Sequence, residues 1–415
     1  MKSRWLNLII FLSATVISLS VALAADNDGR QFPKDASFTT LITTPRAIEG
    51  LTGDHNQNLY TGGSGASPCP IWRINLQNPS LTVVGNVPTD VAATCGFSGI
   101  AFDELGNLYQ ADGGAGRIYI IRNPSSTTPP NATIFASGVP GTNGLAFDKA
   151  GNLWTGDGTT GKGRVWKITG PGADCSAGVN CVEVFRIQPM ANEVNLDAGG
   201  VGGTGRDIRD LPPGTITVTE TSRNAVNNLG SQPLVANGIA FNRKGEMFVI
   251  DTARGALWKV EFDKQGNLRS PVGCDVTFTK NSLCLSNVFV AHPILEGGDG
   301  IALDRDDNIW VDANERNAVA VVTGKGEVFE IFRNPVNAAG LRNSAEASVG
   351  NNHVLEFPTS PFLSGKLLCT SQADGNRRDN FPNTAGQVSP AGPDVGKISC
   401  MNQELKIPGL PLPVR

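Results

Sequence analysis

Apolar and polar positions alternate in short runs along most of the chain, the period of half-buried β-strands. Five segments repeat one scheme: an apolar strand start, a polar turn containing Gly, then residues like Asn-Leu-Tyr or Asn-Leu-Trp opening a second strand. They read AIEGLTGDHNQNLYTGG from Ala47, GFSGIAFDELGNLYQAD from Gly96, TNGLAFDKAGNLWTGD from Thr142, ANGIAFNRKGEMFVID from Ala236 and GDGIALDRDDNIWVDA from Gly298. The D-x-x-G-N core supplies hairpin turn chemistry. Runs such as GRIYIIR, GRVWKIT and GALWKVEF add a third strand.

Each unit is thus an antiparallel meander too small to bury its own faces. Radial packing around a channel solves that problem, so the pattern predicts an all-β fold, a six-bladed β-propeller. A pair of β-sandwiches is the competing repeat architecture. The sixth unit fits NNHVLEFPTSPFLSGKLLCTSQAD, with a longer hairpin loop, and GKISCMNQELKI finishes it. Two insertions interrupt the spacing, Gln188 to Val235 and Asp263 to Phe289. Both are expected to join the outer part of one blade to the inner strand of the next. The first, Gly-rich with a possible hairpin at TITVTET, is expected to form a lid over the channel mouth.

Residues 1–24 read as a signal peptide: Lys2 and Arg4, an apolar stretch, then Ala22-Leu23-Ala24 as a cleavage site. An uncleaved membrane anchor is the alternative. Residues 25–415 then form one propeller domain, secreted or periplasmic, with no membrane association after cleavage. All eight cysteines lie in that mature region. Sequence leaves their connectivity open. Short-range pairing is the simplest choice in an oxidising compartment: Cys69 with Cys95, Cys175 with Cys181, Cys274 with Cys284, Cys369 with Cys400. A net charge of −4 offers no basic field for nucleic acid. A monomer acting on a small molecule is the expectation.

Counting back eleven residues from the aromatic of each repeat gives Glu49, Ser98, Asn143, Asn237 and Asp299, each followed by Gly. In a propeller these positions face the channel at one level. Two carboxylates and two amides converging there would form a hard-cation site, with Ca²⁺ favoured and Zn²⁺, Mn²⁺ or Mg²⁺ as substitutes. The bland reading is that Asn-Gly and Asp-Gly are turn residues. His353, near the start of the sixth unit, is a candidate for substrate contact, as are Ser98 and Asn143.

These segments resemble the gluconolactonase/regucalcin-like (SMP-30/gluconolactonase/LRE) family of six-bladed propellers, over roughly residues 38–374. The resemblance implies a divalent metal held by Glu49, Asn237, Asp299 and Asn143, with Asp299 also the catalytic base or nucleophile. It further implies a metal-dependent hydrolase, a lactonase-type enzyme acting on a small lactone or ester. A non-catalytic exported propeller with a structural metal, binding a ligand or protein, is the other class that the repeats allow.

Overall fold

The computed structural model describes residues 31–33, 36–124, 128–188, 236–276, 278–295, 297–334, 354–373 and 396–413. The signal segment, most of the first insertion with its expected lid and hairpin, and His353 fall outside them.

Among the described residues the strands assemble into six antiparallel blades. Blade one comprises Thr52–Gly53, Asn58–Gly62, Cys69–Asn75 and Leu81–Val87; blade two, Phe97–Phe102, Leu108–Asp112, Arg117–Ile121 and Thr133–Ser137. Blade three contains Thr142–Phe147, Leu153–Asp157, Arg164–Ile168 and Cys181–Arg186; blade four, Ile239–Phe241, Met247–Asp251, Ala256–Val260 and Val288–Ala291. Blade five is Gly298–Leu303, Ile309–Ala313, Ala318–Val322 and Val328–Arg333. Blade six takes Pro358–Ser364, Leu367–Gln372 and Gly396–Met401, and its outermost strand is Phe38–Thr44 from the other end of the chain. That strand pairs antiparallel with Gly396–Met401 and ties first blade to last. Closure of this kind removes the circular gap between the blades.

The repeat signature has a direct structural cause. The turn Asp accepts backbone N–H groups, as from Leu105 and Asn107 to Asp103. Its second oxygen accepts from the aromatic six residues on: Tyr60 to Asp54 at 2.9 Å, Tyr109 to Asp103 at 3.0 Å, Trp154 to Asp148 at 2.8 Å. Trp310 does the same to Asp304 at 3.3 Å. In blade four the aromatic is Phe248, which has no donor, and the turn residue is Asn242, bonded instead to Glu246. Burial first, then the adjacent carboxylates, push the Tyr60 and Tyr109 phenols well above their ordinary value, so these donors stay protonated.

Between blades the core is aromatic and aliphatic. Trp154, Trp258 and Trp310 are fully buried. At ~25 cal/mol per Å² and roughly 150–250 Å² each, every one contributes about 4–6 kcal/mol of apolar burial.

All four cysteine pairs form as disulfides, Cys69–Cys95, Cys175–Cys181, Cys274–Cys284 and Cys369–Cys400, the pattern of a chain folded in an oxidising compartment. The last joins paired strands of blade six, where Cys369 stands opposite Cys400. Among the described residues no helix is long and apolar enough to cross a membrane.

Two expectations are corrected. The segment Asp263 to Phe289 does not lead from one blade to the next. It separates the third and fourth strands of blade four, because Val288–Ala291 pairs with Ala256–Trp258. By the up-and-down course of the strands it belongs to the face carrying the hairpin turns, opposite the ring. From there it runs along the outer strand of blade three to that strand's ring-side end, with Arg186 N–H donating to Asn281 O and Leu283 N–H to Arg186 O. The inner hairpin of blade six is also tight instead of long: Ser364 pairs with Leu367 across Gly365, whose φ of 61° suits a two-residue turn.

On that same face the C-terminal segment crosses the end of the channel. Gly409 N–H donates to Gly365 O at 2.7 Å and Leu410 N–H to Leu303 O at 2.9 Å. Leu410 and Leu412 close a chamber of about 90 Å³ lined by Leu51, Ile100, Leu145 and Ile301. The floor beneath the polar ring is therefore apolar.

Candidate functional site

The five glycines after the counted positions are not turn residues. None has a left-handed φ. Each lies where a Cβ would strike the next blade's backbone. The distances are 2.3 Å from Gly50 to Ser98 O, 2.3 Å from Gly99 to Asn143 O and 2.7 Å from Gly144 to Asn237 O. They continue at 2.6 Å from Gly238 to Asp299 O and 2.3 Å from Gly300 to Thr359 O. The bare Cα is needed because adjacent inner strands converge on the axis. The contacts run from blade to blade in order and identify Thr359 as the sixth member. Its hydroxyl donates to Glu49 O at 2.8 Å, which closes the ring.

The inner strands bulge at this level. Register shifts fall between Phe97 and Ile100, Thr142 and Leu145, Gly298 and Ile301, and Pro358 and Ser360. A bulge inserts one unpaired residue and re-aims a side chain. Ser98, Asn143, Asp299 and Thr359 occupy these interruptions.

Four of the sequence-derived candidates interact. Asn143 Nδ2 donates to Glu49 Oε1 at 3.0 Å. Asp299 is 4% exposed, and Asn237 neighbours it closely enough to influence its carboxyl. Burial, then the charge of Glu49, hold the Asp299 carboxyl well above the ordinary carboxylate range, against the lowering influence of its hydrogen bonds. Asp312, fully buried and hydrogen-bonded by the Thr370 hydroxyl, adds to that repulsion and is itself raised by burial. Ser98 directs its hydroxyl to Thr142 O at 2.8 Å.

Asn314, Thr252 and Thr359 belong to the site without having been read from the sequence. Asn314 Nδ2 donates to Asp299 Oδ2 at 2.7 Å, and Thr252 Oγ1 accepts from Asn237 Nδ2 at 3.1 Å. Both stand fifteen residues beyond their ring residue, where the second strand leaves the sheet. The corresponding residues elsewhere are Ser64, Gly113 and Gly158, so no shared polar residue marks the position. Among the described residues no group of three or more His, Cys, Asp or Glu is placed to hold a metal ion. The ring offers carboxylates and amides together.

Fold and ring define a six-bladed propeller with a polar, acid-containing constriction in its channel. Residues 188–340 match the family profile described as SMP-30/Gluconolactonase/LRE-like region, a stretch that contains Asn237, Thr252, Asp299 and Asn314. No curated protein matches the chain. Among solved structures, a luciferin-regenerating enzyme is similar at 13% identity and a TM-score of 0.52, covering 90% of this chain and 97% of that one. A proposed gluconolactonase is similar at 14% identity and a TM-score of 0.50, covering 94% and 98%. At such identities the likeness establishes the propeller fold.

Proposed function

We propose that the protein is an exported, metal-dependent hydrolase that opens small lactones or esters, with Ca²⁺ as its ion. One observation carries the reading: Asn237 Oδ1 is fully buried in the ring and has no hydrogen-bond partner. A buried carbonyl oxygen without a donor costs about 1–3 kcal/mol, and a cation removes that cost. The adjacent Asp299, raised by burial and by Glu49, points the same way, since a divalent ion would compensate both acids. The donors are all oxygen, which fits a hard ion.

Glu49, Asn143, Asn237 and Asp299 would hold the ion, which supplies Lewis acidity toward a carbonyl oxygen. Asp299 takes the proton from the attacking water as that oxygen bonds to the acyl carbon. Asp299 then returns that proton as the acyl C–O bond breaks, so the oxygen leaves as an alcohol, tethered in the hydroxy acid of an opened lactone or free from an ester. Asn314 holds the Asp299 carboxylate in place for this transfer. Ser98 and, by its sequence position, His353 are assigned to substrate contact. The apolar floor leaves the ring-side face as the route of access. Residues 1–24 act as the export signal, and the mature 25–415 chain works as a monomeric, secreted or periplasmic domain.

The test is turnover of a panel of lactones and esters by the mature protein before and after chelation. Hydrolysis lost on chelation and restored by Ca²⁺ is expected. A bound ion with no turnover on any member would make the protein a binding propeller with a structural metal.

A further inference from the structure

Thr252 stands at the exit of Met247–Asp251 in blade four and is buried. Its hydroxyl makes two contacts. It donates its single proton to Gly298 O at 2.6 Å, and its oxygen accepts from Asn237 Nδ2 at 3.1 Å. The first bond determines the second. A peptide carbonyl can only accept, so the hydroxyl proton is committed to Gly298 and the oxygen has only acceptor capacity left. The end of the Asn237 amide that faces Thr252 must therefore be the NH₂. Oδ1 is left buried and without a partner.

We propose that Thr252 is a positioning residue that fixes the orientation of the Asn237 amide, so that the ring presents its oxygen, and not its NH₂, to a divalent cation. The inference rests on the cation reading of the ring given above and names the group that makes one ligand competent. An asparagine side chain has two nearly isosteric orientations, and only one can bind a cation. The hydroxyl anchored on Gly298 has no proton left to donate, and so it excludes the flipped amide. Gly298 also precedes Asp299 in the chain, so the same hydroxyl couples the strand carrying one ligand to the side chain of another. Among the described residues no other blade repeats the arrangement. The corresponding residue beside Asn143 is Gly158, and that amide is oriented by Glu49 instead.

The experiment is calorimetric titration of Ca²⁺ into the metal-free mature protein and its variants. Thr252→Val keeps the shape and removes the hydroxyl. It should weaken binding by about 10–100-fold, the usual consequence of losing a residue that orients a ligand. Thr252→Ser should bind within a few-fold of the parent. Asn237→Asp supplies the separating control, because a carboxylate presents oxygen in either orientation. In that background, adding Thr252→Val should cost little. An equal loss in both backgrounds would show a merely structural role and overturn the inference, as would unchanged affinity in Thr252→Val alone. Should Thr252→Val fail to fold, a loss of affinity in Thr252→Ala that the Asn237→Asp background abolishes supports the inference; an undiminished loss overturns it. Absence of Ca²⁺ binding by the parent protein would remove the cation reading itself, a result distinct from every outcome above.

Discussion

Replacement of Asp299 by Asn should abolish hydrolysis while leaving the propeller folded and, without metal, more stable than the parent. The amide fills the same space, and its oxygen can still accept from Asn314. It cannot take a proton from water, a loss worth typically 10²–10⁴ in rate. The stability gain follows from burial: Asp299 sits with Glu49 and Asp312 acting on it, and its carboxyl is held well above 3.8. A carboxyl with a raised folded-state value binds its proton more tightly in the folded chain. Its contribution is therefore fully present below the unfolded value and is lost as pH rises through the folded one. In chelator, the parent should fall behind Asp299→Asn as pH rises from about 4 toward neutrality. Saturating Ca²⁺ should reverse the order, because an ion bound by the folded state alone stabilises it. Parallel melting curves for the two proteins at all pH values in chelator would contradict the electrostatic account. Undiminished turnover would remove Asp299 from the chemistry.

Gly99→Ala should be strongly damaging. The added carbon would stand 2.3 Å from Asn143 O and 2.9 Å from Leu145 N, both backbone atoms of the next blade. No side chain can rotate away, so an inner strand must move. Overpacking of this kind costs about 1–3 kcal/mol or more. The displaced strand carries Asn143, so Ca²⁺ affinity should fall together with stability. Gly170→Ala is the matched control, with nothing within 4 Å of the added carbon and no left-handed φ. Denaturant unfolding of the two variants separates them; equal midpoints would show that the inner strands have slack and that the ring is not set by close contact.

The blades were legible in the sequence because each encloses its own signal. The turn Asp, its Asn and its aromatic lie within six residues of one another and bond directly. Glu49, Asn143, Asn237 and Asp299 were legible for the same reason, as their distance to the motif aromatic is constant. Blade six escaped the count on both grounds. Its ring residue is Thr359 followed by Ser, and its shorter hairpin puts Cys369 opposite Phe362, ten residues beyond Thr359. In blade five Trp310 stands opposite Ala302, eleven beyond Asp299. The closing strand Phe38–Thr44 pairs with residues more than 350 positions away, and no local periodicity announces such a partner. Thr252 and Asn314 were missed because a search for sameness passes over a register position whose residue differs in every blade that uses it. The misplaced insertion had a plainer cause: Val288–Ala291 is a short fourth strand whose partner lies across 27 intervening residues.

The central claim is that the ring is a cation site built from Glu49, Asn143, Asn237 and Asp299. Its most direct test is calorimetric titration of Ca²⁺ into the chelator-treated mature protein, with metal content measured on the protein as purified. One ion per chain is predicted, with affinity lost in Asp299→Asn and a rise in melting temperature on binding. No bound metal after purification and no heat of binding for Ca²⁺, Mg²⁺, Mn²⁺ or Zn²⁺ would contradict it.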